Sequence, residues 1–214
     1  MSKVAVLGSG QVGEVLANGF LAKGHEVTRG SRDPSKLAVW KEKTKGARTG
    51  TFAEAAAWAD VVVLAVKGTA AVEAVAQAGP ANLAGKTVID ATNPIADAPP
   101  KDGVLSFFTG PNDSLMERLQ EKAPEARFVK AFSCVGNAFM VDPKLPGGPP
   151  TMFICGNDRA AKAEVTKILD QFGWETADMG VAAAARAIEP LCMLWCIPGL
   201  SGGTWTHAFK LLRL

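Results

Sequence analysis

The chain has 214 residues, 48% hydrophobic and 21% charged, which suits one large domain or one domain with a modest appendage. Its 23 basic and 21 acidic residues leave a net charge of +2, too small to mark a nucleic-acid partner, and no Lys/Arg run stands out. No export signal and no apolar run of about eighteen residues is read, so a cytoplasmic protein with no membrane partner and reduced cysteines is expected.

Lys3 to Leu7 (KVAVL) has the pattern of a buried strand and runs directly into Gly8-Ser9-Gly10-Gln11-Val12-Gly13. Val12, Val15, Leu16 and Phe20 then fall at helical spacing. A G-x-G-x-x-G wedged between strand and helix points to a dinucleotide site. The glycines let backbone N–H groups approach a pyrophosphate, and the positive end of the helix dipole favours that anion. Gly24 stops the helix, and a second strand ends in Gly30-Ser31-Arg32.

That strand tip selects the dinucleotide. NAD sites place a carboxylate there to accept from the ribose 2′-hydroxyl. Here a hydroxyl and a guanidinium stand instead, and Lys36 follows one turn on. Arginine binds a 2′-phosphate in a forked, charge-assisted contact, so NADP(H) is expected over NAD(H). Asp33-Pro34 has the form of a helix cap whose carboxylate is occupied by backbone donors. The placement of Arg29 is left open.

Further along, a short helix is expected over 35–43 and a short strand over 47–49. Thr51-Phe52-Ala53-Glu54 has the form of a capping box, and Val61 to Val66 is an unbroken apolar run typical of a strand covered on both faces. A helix over 70–77 and a strand over 87–91 follow, then a Pro-rich loop over 93–106. A second capping-box pattern at Ser114–Glu117 precedes a helix to Lys122, and a strand runs over 127–132. Residues 142–150 carry four prolines and two glycines and form a loop. A strand over 151–155, a helix over 160–172, a strand over 174–178 and a mostly helical tail over 181–214, broken near Pro190 and Pro198, complete the chain. Alternating β and α elements imply a Rossmann-type, doubly wound α/β fold with a mainly parallel sheet and a small C-terminal α/β extension. The expected division is a core over 1–133 and an extension over 134–214 whose tail helices close the cleft. The loops at Lys67-Gly68-Thr69, Thr92-Asn93-Pro94 and Ser133-Cys134-Val135-Gly136 should line the cofactor beyond the strand ends.

GSGQVG, GSR with Lys36, DATNPI, VKAF and ARAIEPL together resemble the NADP oxidoreductases that depend on the deazaflavin coenzyme F-420, over nearly the whole chain. Related domains form the cytosolic portion of membrane metalloreductases. The resemblance implies a 2′-phosphate on Ser31, Arg32 and Lys36. It also implies a nicotinamide against Ala65, Val66, Asn93, Pro94 and Ala131-Phe132, with a deazaflavin or flavin stacked on it. Hydride would pass directly between the rings, with positioning supplying the rate and no catalytic acid or base. An NADP(H) sensor without turnover and a reductase of a small imine or carbonyl compound are the alternatives.

Other conspicuous side chains carry structural expectations. Cys134, Cys155, Cys192 and Cys196 are expected as free thiols, with no metal site. Trp195 and Trp205 are expected to pack the tail helix onto the sheet or form a dimer contact rather than a stacking surface for a flavin-like ring. His25 is expected to be structural, His207 to lie at the surface or a helix end, and Lys67 to lie near the cofactor or in solvent. Lys130 should reach the sheet end or solvent, and Glu189 should make a structural hydrogen bond. The apolar tail (Leu191, Trp195, Ile197, Leu200, Trp205, Phe209) suggests a homodimer.

Overall fold

The computed structural model describes residues 1–213. The first unit runs β1 (Lys3–Leu7), α1 (Gln11–Ala22), β2 (Glu26–Gly30), a 3-10 turn (Pro34–Leu37) leading into α2 (Ala38–Lys43), β3 (Arg48–Gly50), α3 (Phe52–Trp58) and β4 (Val61–Leu64). It continues through α4 (Ala71–Ala78), α5 (Pro80–Leu83), β5 (Thr87–Asp90), α6 (Leu115–Lys122) and β6 (Arg127–Lys130). The six strands pair in parallel in the order β3-β2-β1-β4-β5-β6. Strand order therefore reverses between β1 and β4, and a crevice opens beyond the carboxyl ends of those two strands.

Side-chain alternation builds two cores. Val4 and Val6 of β1 pack with Leu16 and Phe20 of α1, while Ala5 and Leu7 face Phe52, Ala55 and Ala56 of α3 and Ala71 and Val75 of α4. Every residue of β4 is buried, as a strand covered on both faces requires. The strands end earlier than their apolar runs. Ala65, Ala91 and Ala131 each donate the last ladder bond, to Leu7, Leu64 and Asp90, and the chain then peels away. Ala65, Val66, Ala131 and Phe132 consequently lie in loops beyond the strands.

The second unit is β7 (Thr151–Ile154), α7 (Arg159–Gln171) and β8 (Glu175–Asp178), a parallel pair. It packs on the α1 side, where Phe172 lies 4.9 Å from Phe20, ring centre to ring centre. Lys130 N–H donates to the Cys155 carbonyl at 3.0 Å and joins this pair to β6.

The capping box at Thr51 forms as expected. At Ser114 only half of it forms. The Ser114 hydroxyl accepts from Glu117 N–H, but the Glu117 carboxylate accepts from the Ser114 hydroxyl and from Arg186 instead of the Ser114 backbone N–H.

The tail departs from expectation. A 3-10 turn (Ala182–Ala184), α8 (Ala185–Ile188) and α9 (Leu191–Gly202) run as one helical stretch, because Pro190 holds helical angles and Pro198 sits inside α9 without ending it. This stretch of 21 residues is long and apolar enough to cross a membrane by length and composition, and 33% of its most apolar window is buried here. The sequence reading underestimated it because the two prolines divide it on paper. Gly203, in the left-handed region at φ 70°, ends α9. Residues 203–213 then form no helix. They run beside β7, where Thr151 N–H donates to the Phe209 carbonyl and Leu211 N–H to the Thr151 hydroxyl.

Candidate functional site

Nine of the residues that line a cleft of about 520 Å³ at the β1/β4 reversal are Gly8, Ser9, Gly10, Ser31, Arg32, Lys36, Ala65, Val66 and Lys67. All nine were singled out from sequence. Asp33, Phe52, Thr69, Ala70, Glu73 and Ala74 complete the wall. The glycine loop is shaped by its neighbours. A Cβ on Gly8 would sit 2.2 Å from the Ala65 carbonyl oxygen, and one on Gly13 would sit 2.7 Å from the Gly8 carbonyl oxygen. Gly10 differs, since a Cβ there would meet nothing within 4 Å. The space beside Gly10 is open on the cleft side. Gly10 also precedes α1 without any side-chain cap, so the first N–H groups of a 12-residue helix lack a capping acceptor. An uncapped helix start beside open space fits a pyrophosphate. Gln11 and Val12 contribute only through this helix start, and Gly13 is buried beneath it.

At the β2 tip Ser31 is buried while Arg32 and Lys36 are exposed. Asp33 caps the 3-10 turn as expected. Its Oδ1 accepts from Ser35 N–H at 3.1 Å and from the Ser35 hydroxyl at 2.6 Å. Those two bonds hold the Asp33 carboxyl below its ordinary pKa. Arg32 and Lys36 stand exposed beside it on the cleft wall. Lys67 lies on the wall and pairs with Asp97.

Arg29 receives a definite place. Paired with Val6 in the sheet, it points to the α1 face and is 1% exposed. One guanidinium nitrogen donates to the Gly8 and Gly10 carbonyls at 3.2 Å each. Another lies 3.4 Å from Glu14, and the group stacks 4.9 Å from the Trp40 ring centre. Arg29 thus ties down two of the loop's carbonyls, while the Gly8 N–H is engaged by the Gly30 carbonyl at 2.9 Å.

Asn93, Pro94, Ala131 and Phe132 lie apart from the cleft wall, on the neighbouring strand ends. Asn93 donates to the Ser133 carbonyl at 2.9 Å, and Pro94 is buried. Ala131 and Phe132 are 0% and 1% exposed, backbone included, and their N–H groups donate to the Asp90 carbonyl and to the Met152 sulfur. Phe132 adopts φ 61°, the left-handed region that non-glycine residues rarely hold, and this turns its ring into the core 6.1 Å from Phe172. No sequence pattern announces that turn.

Lys130 reaches the sheet end, one of its two expected places, but is wholly buried there rather than in solvent. Its ammonium lies 2.6 Å from Asp90 and 2.8 Å from Glu189, and it donates to the Thr92 carbonyl at 2.9 Å. Burial opposes its charge, yet the two carboxylates prevail and raise its pKa. Glu189 also accepts from Leu115 and Met116 N–H at 3.0 Å each, at the start of α6. The triad therefore ties β5, β6, α6 and the tail helix together behind the 92–94 loop.

The remaining candidates are structural. Burial pushes the Cys134 and Cys155 thiols up to about 12. Cys192 is raised and Cys196 lowered by the hydrogen bond between them. His25 accepts from Ser2 N–H. His207 is half-buried rather than at the surface. Its ring stacks 5.0 Å from Trp195 and lies 2.9 Å from the Trp195 carbonyl, while Trp195 donates to the His207 carbonyl at 2.9 Å. A Cβ on Gly136 would meet Trp195 at 2.6 Å, and one on Gly199 would meet Trp205 at 2.3 Å. Trp195 packs α9 onto the loop after β6, and Trp205 folds the end of the tail back onto α9.

Residues 3–94 match the family described as NADP oxidoreductase, coenzyme F-420-dependent. A crystal structure of a candidate F-420-dependent NADP reductase from Arthrobacter sp. FB24 superposes with a TM-score of 0.93, at 35% identity over 100% of both chains. Metalloreductase STEAP3 of Rattus norvegicus is 30% identical over 202 residues, 92% of this chain. The chain spans only 38% of that relative. A reductive aminase from Aspergillus terreus shares the fold at TM-score 0.68 and 22% identity, over 95% of this chain and 63% of that one. Full-length similarity to the Arthrobacter protein, together with an NADP-type cleft in its expected place, makes this chain a member of the coenzyme F-420-dependent NADP oxidoreductase family.

Proposed function

We propose that the chain moves hydride directly between the nicotinamide of NADP(H) and a deazaflavin or flavin-like acceptor, coenzyme F-420 first among them. The observation that carries this is the cleft wall, where an uncapped helix start and an open glycine loop adjoin Ser31, Arg32 and Lys36. In this reading the backbone N–H groups of Ser9 to Gly13 hold the pyrophosphate, Gly8, whose own N–H is bonded to Gly30, shapes the loop, and Ser31, Arg32 and Lys36 hold the 2′-phosphate. Lys67 exchanges Asp97 for ribose or phosphate. Ala65, Val66, Asn93, Pro94 and the backbone of Ala131-Phe132 form the nicotinamide edge.

The bound cofactor supplies the hydride. The protein's part is to orient the ring and keep water from it, which accounts for most of the rate in direct transfer. No side chain is assigned as acid or base: Lys130 and Glu189 neutralise each other in the core, and both histidines are tied to the backbone. Residues 134–214 form an extension whose helix closes the acceptor side, and α9, with Leu194 and Leu200 exposed, forms a homodimer face in a cytoplasmic protein.

The test is to mix the chain with NADPH and oxidised F-420, or FMN, without oxygen, and to follow the NADPH absorbance. Oxidation with one acceptor supports the reading. Tight NADPH binding without oxidation by either would overturn it in favour of a sensor.

A further inference from the structure

A second cavity, of about 360 Å³, lies between α1 and α2 and shares Ser9 and Lys36 with the main cleft. Lys36, Val39, Trp40 and Lys43 line one side at helical spacing, and Glu14 and Asn18, one turn apart on α1, line the other. Arg29 lines it as well, with Thr44 at the far end. Three cations thus meet one carboxylate, an excess of positive charge in a small enclosure.

Arg29 supplies the second observation. Although it is 1% exposed, its Nε–H has no acceptor among the described residues, while its terminal nitrogens are engaged by the glycine loop and Glu14. A buried donor without a partner costs about 1–3 kcal/mol, so an unfilled guanidinium position beside a cavity points to an anionic ligand. The enclosure has room for a phosphate group and its ester oxygen.

We infer that this pocket is a phosphate-monoester subsite that extends recognition of the cofactor's 2′-phosphate from Ser31, Arg32 and Lys36 to Arg29 and Lys43. It rests on the NADP(H) reading given above. Lys36 is common to both cavities and bridges them. Arg29 provides a fixed positive floor that serves loop and phosphate together. Lys43, exposed at the outer end, steers and neutralises the dianion.

The test is calorimetric titration of the full chain at low salt with NADPH, NADH, 2′-AMP and 5′-AMP, comparing the unmodified protein with Lys43→Glu and Lys43→Arg. Lys43→Glu should weaken NADPH and 2′-AMP about three- to tenfold and leave NADH and 5′-AMP unchanged, as expected for loss of one partly screened charge contact. Lys43→Arg should restore the affinity. An unchanged NADPH-to-NADH ratio in Lys43→Glu, or an equal loss for both dinucleotides, would overturn the subsite. If the unmodified chain itself shows no preference for NADPH, the NADP(H) reading has failed instead, and the two failures are distinct.

Discussion

Gly10 is the residue where fold and ligand make separate demands. A methyl group there meets no protein atom, yet it would fill the space beside the uncapped start of α1. Gly10→Ala should therefore cost no more than about 1 kcal/mol in stability while weakening NADPH at least ~10-fold. Thermal unfolding and fluorescence titration of the same sample separate the two. Gly8→Ala, whose Cβ would lie 2.2 Å from the Ala65 carbonyl oxygen, should instead fail at the level of folding. The thiols make a second contrast. Cys196 is half-buried with a lowered pKa, whereas Cys134 and Cys155 are buried and pushed up to about 12. An aromatic disulfide reagent near neutral pH should label Cys196 first in the folded chain, and peptide mapping by mass spectrometry reads out the order.

Among elements, the Asp90–Lys130–Glu189 triad is the strongest tie between the sheet ends and the tail helix. Lys130→Met would leave two buried carboxylates without their cation and should destabilise the fold by about 3–5 kcal/mol, measured by urea unfolding. The pH dependence follows from the direction of the shift. Lys130 is raised in the folded state, so its contribution is fully present below the ordinary lysine value of ~10.4 and fades as pH climbs through the higher folded value. The unmodified chain should lose urea resistance in that alkaline window, and Lys130→Met should lose less there.

The elements and the glycine loop were readable because periodicity and turn chemistry are local. The capping box at Thr51, the buried β4 and the Ser31-Arg32-Lys36 tip all follow from residues within a few positions of one another. Long-range pairings were not. The burial of Lys130 is not legible because Asp90 and Glu189 stand 40 and 59 positions away in the chain, 130 minus 90 and 189 minus 130. Arg29 remained ambiguous for the same reason, since its partners lie on α1 and α2. The left-handed turn at Phe132 and the helical passage through Pro198 run against local preference, and packing overrides it in both.

At the scale of the whole molecule, the 182–202 helix is the feature whose surroundings matter most. Trp195 is buried against the loop after β6, while Leu194 and Leu200 are exposed. Part of the apolar surface that suggested a homodimer is thus covered within the chain, and the proposed dimer rests on the exposed remainder. Size-exclusion chromatography with light scattering should show a dimer that Leu194→Glu converts to monomer; a monomer for the unmodified chain removes the proposal.

The cleft's grip on a 2′-phosphate is the claim on which the rest depends. Titrating NADPH and NADH into the unmodified chain and Arg32→Ala tests it directly. A preference for NADPH that falls about tenfold in Arg32→Ala, with NADH affinity unchanged, is the predicted result. Equal or tighter binding of NADH by the unmodified chain, or a preference that survives loss of the guanidinium, would contradict it.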